Sequence, residues 1–561
     1  MLNLPSHLQK YVVEQNYEKY TALDHAVWRY ILRQLKKFLT ANAHHSYLEG
    51  LKKTGIDIEQ IPRIEHISSH LEKFGWRALP VSGFIPPSSF MELQALSILP
   101  IASDMRTIDH LLYTPAPDIV HEAAGHAPII AHPEYAEYLK QYAQVANKAI
   151  ISKEDLQLYK AIRELSDIKE NSNSSQLEIK AAEANLNKVS KAMSFVSEAT
   201  QLSRMSWWTT EYGLIEDLGS PKIFGAGLLS SVGEAKLCLS SKVKKILLSL
   251  DCIHQPYDIT EPQPQLFVAK DFKHLSQVLE QLAQTMSYRI GGVKAVEHAK
   301  KAESVNTVEL ENKIQISGVL KNYILDHSSQ ISYLQFAGPT QLCYANKEIA
   351  GHNNNYHRQG YGTPIGEILN FNIKNIKLGE HLRLNYKSGV KVTGRLVNIL
   401  SLNLDSNLDS DAAILSFENA TAEYNAEKLF LPEWGIYDVV IGNRVTSVFG
   451  GPADRTQFGA TDDFITSKVA PPIHTSEQKN IFAFYQEVRD LRISNHITEN
   501  SMSTLFNKFL ELAPKEWLLF VELVELCIKC NLSHQKIEEH LSTLEQKELI
   551  TEGLNLAYGK F

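Results

Sequence analysis

Three patterns of apolar and polar residues follow one another along the 561-residue chain. Up to about residue 302, apolar positions recur at helical spacing, as in residues 27–35 and 275–288. Further on, residues 314–320, 381–386 and 390–397 alternate or are β-branched, with a hairpin turn predicted at 387–389. Helical spacing returns after about residue 477, including 517–528. The pattern predicts a mainly α domain at 1–302, a β-rich accessory domain at 303–475 and a helical C-terminal region at 476–561.

A charged helical hairpin is predicted inside the first domain, as an insertion at about 150–198. Its first helix has an apolar stripe, residues 170–175 form the turn, and residues 179–189 form the return helix. The stripe consists of Leu156, Leu158, Tyr159, Ile162 and Leu165. A lid or an oligomer contact is one interpretation. A solvated insertion packed on the surface is the favoured one.

Composition and charge indicate an ordinary globular enzyme. With 44% hydrophobic residues, the chain can bury two or three cores. A net charge of −8 gives no basic stripe for nucleic acid, and five scattered cysteines are too few for a disulfide framework. The N-terminal residues lack a signal pattern, and there is no apolar run of about 18 residues. We therefore expect a cytoplasmic protein that binds neither membranes nor nucleic acid.

The strongest chemical signal is a pair of histidines followed far downstream by a carboxylate. His121, His126 and Glu211 are the residue types of a facial triad, which leaves half of an octahedral iron(II) open. In an ideal α-helix the two histidines, five residues apart, would point about 140° from one another. Convergence on one ion therefore requires a helix end or a distortion, which Gly125 would permit, after an N-cap at Asp118. Taken alone, this motif would favour a capped helix with two ordinary polar histidines.

Several other segments, in the same order along the chain, change this interpretation. Residues 113–126, 207–214 and 224–234, together with 20–29, 75–83 and 259–264, resemble the pterin-dependent aromatic amino acid hydroxylases over roughly residues 15–300. The resemblance implies a monooxygenase with Fe(II), a tetrahydropterin of the tetrahydrobiopterin type, and dioxygen as co-substrate. It also implies an aromatic amino acid as substrate and a role in phenylalanine catabolism.

The resemblance also implies roles for individual residues. The metal ligands would be His121, His126 and Glu211. The substrate would be bound by Arg106, Thr114, Trp207, Ser230 and Ile259, with Thr209 in the pocket wall. The pterin would be bound by Glu122, Phe90 and Phe84, and the first histidine would be oriented by Asp118 and Ser230.

The choice of substrate depends on Ile259. An apolar wall beside the ring would leave a phenolic hydroxyl buried without a partner, at a cost of about 1–3 kcal/mol. Hydroxylation of L-phenylalanine to L-tyrosine is therefore expected, and tyrosine or tryptophan hydroxylation is the alternative. A more distant alternative is a zinc hydrolase with Glu122 as general base. A third is that the metal domain is only structural, while the C-terminal half of the chain binds a partner.

Other motifs in the second half receive plainer interpretations. The glycine-bearing runs 359–366 and 448–452 are predicted to be turns, and His352 and His357 to belong to a polar loop rather than a metal site. Cys527 and Cys530 are predicted to be two buried thiols of a helix. Six apolar residues of that helix form either core or an oligomer face, so an oligomer through the C-terminal region is compatible with the sequence; they are Leu518, Leu519, Val521, Leu523, Val524 and Leu526.

Overall fold

The computed structural model describes residues 4–81, 85–112, 117–170, 174–259, 261–402, 412–459, 474–494 and 497–559. Its first part is mainly helical. The helices are α1 Ser6–Gln9, α2 Ala22–Asn42, α3 Ser46–Lys53, α4 Ile64–Leu71, α5 Pro87–Ala95, α6 Ala127–Ile130, α7 Pro133–Ala146, α8 Lys153–Glu170, α9 Gln176–Lys191, α10 Glu198–Ser206, α11 Ala226–Leu229, α12 Val232–Cys238, α13 Phe272–Ala283, α14 Ser287–Ile290 and α15 Gly292–Ala302.

Two small sheets lie among these helices, and the sequence pattern did not reveal them. Strands β1 Arg77–Val81 and β2 Ile98–Ala102 pair in parallel. The second sheet has the order β4-β3-β6-β5; its strands are β3 Leu214–Ile215, β4 Lys222–Ile223, β5 Lys244–Leu247 and β6 Gln265–Ala269. The helical pattern predicted at 275–288 is interrupted, because Met286 is buried in an extended conformation between α13 and α14.

Helix α2 shows how local sequence and core packing agree. Thr21 accepts a hydrogen bond from the Asp24 backbone N–H, and the Asp24 carboxylate accepts one from the Thr21 N–H, which forms a capping box. Along the helix, Trp28, Ile31 and Leu35 recur at helical spacing and are fully buried. Helix α2 is therefore a central element of the largest core.

The predicted helical hairpin consists of α8 and α9. Ser175 caps α9 through a capping box with Glu178, and residues 171–173 of the predicted turn lie outside the described residues. Leu165 is buried and Ala182 is the buried position of α9, while most of α9 is exposed. Burial along one narrow stripe agrees with the interpretation of an insertion packed on the surface.

Two β-sheets form the middle of the chain. One has the order β10-β9-β8-β7-β17 with β11 beside β9, and the other β12-β13-β14-β15 with β16 beside β14. The elements are β7 Val305–Leu310, β8 Ile314–Leu325, β9 Ile331–Tyr344, β10 Lys347–Glu348, β11 Gly360–Pro364, β12 His381–Asn385, β13 Lys391–Ser401, β14 Ala413–Tyr424, β15 Glu427–Phe430, β16 Tyr437–Ile441, β17 Val445–Gly450 and the short helix α16 Arg455–Phe458. The turn predicted between β12 and β13 is present, with Gly389 at φ +95°.

The prediction of turns at the two glycine-bearing runs is wrong. Residues of the first run form β11, which pairs with β9, and residues of the second end β17, which pairs with β7. A Cβ on Gly362 would lie 2.5 Å from the Tyr333 hydroxyl, and one on Gly450 would lie 1.9 Å from the Ala149 carbonyl oxygen. These glycines therefore allow close packing within strands, a tertiary requirement that local turn statistics do not contain.

The C-terminal helices pack against the first part of the chain. They are α17 Ser476–Ser494, α18 Glu499–Leu512, α19 Trp517–Lys529, α20 Gln535–Leu541 and α21 Lys547–Ala557. Tyr30 of α2 meets Trp517 edge-on at 5.3 Å, and Arg29 donates to buried Glu522 at 2.7 Å and also to Glu525. The six apolar residues of α19 are all buried in this shared core. Of the two alternatives for them, core is therefore the correct one.

Two remaining expectations concern thiols and membranes. Cys527 is buried, whereas Cys530 is half-buried, and both are free. The prediction of two buried thiols is thus right for Cys527 only. Among the described helices, none combines the length and apolar character required to cross a bilayer.

Candidate metal centre

The two histidines lie on a π-helical turn, which brings side chains five residues apart onto the same side of the helix. Residues Val120–His126 form this π-helix, whose i to i+5 hydrogen bonds place residues five apart above one another. His121 Nε2 and His126 Nε2 consequently lie 3.2 Å apart. The Asp118 carboxylate accepts from the His121 backbone N–H at 3.1 Å, so Asp118 caps the start of this helix.

Glu211 is presented by a second π-helix, Trp207–Glu211, which continues α10. Its carboxylate lies 3.2 Å from His121 Nε2 and 3.4 Å from His126 Nε2. The three donor atoms therefore form one compact group, as the sequence predicted for a metal site. π-turns are rare and occur mostly at functional sites, and here both ligand-bearing segments use one.

The segment that begins α11 is wedged between these two π-helices. A Cβ on Gly125 would lie 2.6 Å from the Ala226 carbonyl oxygen, and a Cβ on Gly225 would lie 2.4 Å from the Glu211 carbonyl oxygen. Gly125 was expected to permit a helix distortion. In the structure, glycine is needed at this position because the backbone of Ala226 passes so close that no side chain would fit.

Ser230 fixes the orientation of the first histidine ring. Its hydroxyl donates to the Ala226 carbonyl at 2.7 Å and lies 3.2 Å from His121 Nδ1. Since the hydroxyl proton is used on Ala226, Ser230 accepts from Nδ1–H. The lone pair of His121 is then on Nε2, which faces His126 and Glu211.

The two glutamates of the site have opposite electrostatic environments. Burial by itself would raise the pKa of Glu211, but the charges and hydrogen bonds of His126 and His121 outweigh it and hold this pKa well below its usual range. Burial raises the pKa of Glu122 to about 8, and His126 opposes this only in part. Glu122 Oε2 is buried without a hydrogen-bond partner among the described residues, 3.9 Å from His126 Nε2. Glu211 is thus anionic, while Glu122 has an unused polar atom facing the site.

Arg106 is held by Asp118 rather than left free in a pocket. Its Nε and Nη2 donate to the two Asp118 oxygens at 2.8 and 2.7 Å, and its Nη1 lies 3.5 Å from the Ser230 carbonyl oxygen. Although burial opposes it, the Arg106 charge lowers the pKa of Asp118. Asp118 was expected to orient the His121 ring. Its side chain instead contacts the His121 backbone and Arg106, and Ser230 contacts the ring.

Trp207 lies within an aromatic stack that the sequence reasoning missed. Tyr257 stacks on it with ring centroids 4.3 Å apart and planes 8° apart, and Tyr212 stacks at 4.5 Å and 25°. Tyr257 precedes the segment at 259–264 that carried the resemblance, which was the available signal. Thr209, expected in the pocket wall, is buried, contacts the Tyr138 hydroxyl at 2.8 Å and donates to the Met205 carbonyl.

Comparisons with known proteins agree with this geometry. The family described as biopterin-dependent aromatic amino acid hydroxylase matches residues 10–159 and 183–330, which is more than half of the chain. The chain belongs to this family. Phenylalanine-4-hydroxylase of Pseudomonas aeruginosa is 30% identical over 264 residues, covering 47% of this chain and 84% of that protein. The Mesorhizobium japonicum enzyme of that name is 29% identical over 251 residues, covering 44% and 72%.

A crystal structure of Chromobacterium violaceum phenylalanine hydroxylase, with iron(III) and 7,8-dihydrobiopterin, is 25% identical to this chain. The matched region covers 50% of this chain and 88% of the chain in that crystal structure, with a TM-score of 0.38. The family match leaves out residues 160–182, which lie in the α8–α9 hairpin. Membership of a hydroxylase family sets aside the hydrolase and purely structural alternatives.

The structure describes two of the four remaining residues proposed for this hydroxylase site, Phe90 and Ile259. Phe90 of α5 is half-buried and packs against a small separate core that contains Leu8 and Leu93. Ile259 is half-buried, two residues after Tyr257. Thr114 and Phe84 lie outside the described residues. For these four residues, the roles implied by the resemblance stay predictions.

A second group of histidines lies outside the part of the chain that matches the hydroxylase family. His352 and His357 belong to the loop after β10, as predicted, but both are buried and lie beside Asp438 of β16. Burial lowers the pKa of His357 to about 3, with a smaller contribution from His352, and burial also lowers the pKa of His352. Both rings are therefore neutral at pH 7.

Proposed function

We propose that this protein is an iron(II)- and tetrahydropterin-dependent phenylalanine 4-monooxygenase, which uses dioxygen to convert L-phenylalanine to L-tyrosine. The observation that carries the proposal is the triad of His121, His126 and Glu211, assembled from two π-helices in a chain of this family. Residues 1–302 form the catalytic domain, 303–475 an accessory domain and 476–561 a helical region that completes the catalytic core.

The donor set fits iron(II). Two neutral imidazoles and one carboxylate are the ligands of the facial triad, which leaves positions free for other ligands. His121 Nε2 offers a lone pair because Ser230 fixes its tautomer, and Glu211 stays anionic beside the two rings. When bound, the metal and the reduced pterin would supply the oxygen-activating chemistry.

The surrounding residues have tasks that follow from their contacts. Arg106 uses one edge of its guanidinium for Asp118, and its other edge, formed by Nη1 and Nη2, is suited to the carboxylate of an amino acid substrate. Glu122 has a partnerless oxygen beside the triad, which would suit a donor group on the polar edge of a pterin. The stacked rings of Trp207 and Tyr257 would form a rigid apolar wall of the substrate pocket. Ile259 would disfavour a phenolic substrate, because its side chain offers no hydrogen-bond partner to the hydroxyl.

The test is oxygen uptake by the full chain loaded with Fe(II). We expect uptake that depends on tetrahydrobiopterin and phenylalanine, with tyrosine as product, and slower turnover of tyrosine and tryptophan. Equal or faster turnover of either alternative would contradict the substrate assignment, and no uptake with any of the three would contradict the function.

The Glu211→Gln variant tests the site itself. It replaces an anionic ligand with a neutral one of the same size, so iron content and hydroxylation should both be lost. Glu137→Gln, which changes an exposed carboxylate of α7, is the matched control and should retain both. Normal iron content and turnover in Glu211→Gln would remove Glu211 from the ligand set.

A further inference from the structure

The accessory β domain contains its own cluster of two histidines and one carboxylate. His352 and His357 come from the loop that joins β10 to β11, and Asp438 comes from β16. This loop belongs to the sheet of β9 and β11, whereas β16 belongs to the other sheet, where Asp438 pairs with Ser416 of β14. The three residues thus face one another across the junction of two sheets.

The two imidazole nitrogens have the separation of ligands around one ion, and the carboxylate lies near them. His352 Nδ1 and His357 Nε2 lie 3.3 Å apart, and the donor atoms of all three residues lie within 4.8 Å of one another. Two nitrogens bound to one tetrahedral zinc ion would be about 3.3–3.4 Å apart. His121 and His126 at the iron site show nearly the same nitrogen separation, 3.2 Å.

Burial provides an independent reason to expect a cation here. His352, His357 and Asp438 are 6%, 8% and 3% exposed. Buried carboxylates are normally paired with a cation or coordinate a metal. Within the described part of the chain, no lysine or arginine forms an ion pair with Asp438, whose carboxylate lies beside two imidazoles and is hydrogen-bonded by the neutral hydroxyls of Ser416 and Tyr356.

The Asp438 carboxylate is held in place by its own supporting contacts. The Ser416 hydroxyl donates to Asp438 Oδ1 at 2.6 Å, and the Tyr361 hydroxyl of β11 donates to the Asp438 backbone carbonyl at 2.9 Å. The Ser416 contact is typical around metal-binding carboxylates, because it orients the ligand and satisfies one of its lone pairs, while the Tyr361 contact fixes the backbone that carries it.

We propose that His352, His357 and Asp438 bind a divalent transition-metal ion, with zinc as the best-suited ion, and that this ion fastens the two sheets of the accessory domain together. Two imidazoles and one carboxylate suit zinc, and a water molecule would complete a tetrahedral site. This ion is separate from the iron. Its ligands belong to the β-sheets of the accessory domain and lie beside the core of that domain, whereas His121, His126 and Glu211 lie on two π-helices in the largest core.

The experiment measures zinc bound by the full chain in a His126→Ala background, in which the iron triad lacks a ligand. After equilibration with ZnCl2 and gel filtration, elemental analysis should give about one zinc per chain. Addition of Asp438→Asn, which keeps an oxygen to accept from Ser416 but removes the negative charge, should reduce this to near zero. Zinc should raise the melting temperature of the first variant and not of the second.

A matched pair of histidine variants distinguishes this site from incidental binding. His357→Gln removes a proposed ligand, whereas His381→Gln removes an exposed imidazole of β12 in the same domain. In the His126→Ala background, the first should lose zinc and the second should retain it. Zinc that persists in Asp438→Asn and His357→Gln, or an absence of zinc from the parent variant, would overturn the proposal and leave the cluster as a hydrogen-bonded network.

A second measurement covers the possibility that His126→Ala does not fold. In the otherwise wild-type chain loaded with Fe(II), Asp438→Asn should retain iron and phenylalanine-dependent oxygen uptake while zinc content falls by about one ion per chain. If zinc content is unchanged, the proposed site is wrong whatever the activity. If zinc is lost together with iron and uptake, the two sites are not separate and the proposal is also wrong.

Discussion

Gly225→Ala should displace the backbone of Glu211 and disable the iron site, although no ligand residue is replaced. The new Cβ would lie 2.4 Å from both the Glu211 carbonyl oxygen and the Gly213 nitrogen. An ordinary contact needs about 3.4–4 Å, so the backbone on one side must move by about 1 Å. Overpacking of this kind typically costs about 1–3 kcal/mol of stability, and a misplacement of about 1 Å at a catalytic group can cost about 100-fold in rate.

The assay is iron content and phenylalanine-dependent oxygen uptake of the purified variant, with its melting temperature recorded alongside. Gly219→Ala is the matched control, because Gly219 is exposed and a Cβ there would meet only Asp217 Oδ1, at 3.8 Å. The control should behave as wild type. If Gly225→Ala binds iron and turns over normally, the segment that begins α11 does not set the position of Glu211, and its close packing against the two π-helices is not needed for activity.

Three other predictions concern charge, specificity and the C-terminal helices. Burial raises the pKa of Glu122 from 4.5 to about 8, so the metal-free protein loses stability as pH rises through that window; Glu122→Gln should therefore melt higher than wild type at pH 9 and similarly at pH 5. Ile259→Asp should increase the kcat/KM ratio of tyrosine to phenylalanine by about ten-fold; an unchanged ratio would show that Ile259 is not a specificity residue. Arg29→Leu leaves buried Glu522 with Arg492 as its remaining arginine partner, and should lower the free energy of unfolding by about 1–3 kcal/mol in denaturant titrations, whereas exposed Arg383→Leu should change it by less than about 0.5 kcal/mol.

The sequence predicted which residues form the triad but not how the backbone brings them together. The separation of His121 and His126 already required a distorted helix, yet a π-turn depends on what packs against it, and Ala226 comes from a remote segment. Similarly, the resemblance implied that Arg106 contacts substrate, but its pairing with Asp118 appears only in three dimensions.

Long-range pairing explains most of what the sequence did not predict. Residues 360–364 were expected to form a turn because glycine is frequent in turns, but backbone pairing with β9 makes them a strand. His352 and His357 belong to a polar stretch, and only the approach of β16 buries them beside Asp438. The helical periodicity of residues 517–528 indicated a helix correctly, but a single helix does not reveal which partner buries it.

The packing of α19 and α21 on α2 has a consequence for the order in which the protein can be made. Roughly 475 residues separate the end of α2 from the start of α19, which corresponds to about 25–95 s of translation. During that interval, Tyr30 lacks Trp517, and Arg29 lacks Glu522 and Glu525, although its partner Glu59 is already present. This face of the nascent hydroxylase domain therefore stays uncovered until α19 and α21 have been synthesised, and it is exposed to chaperones during that time.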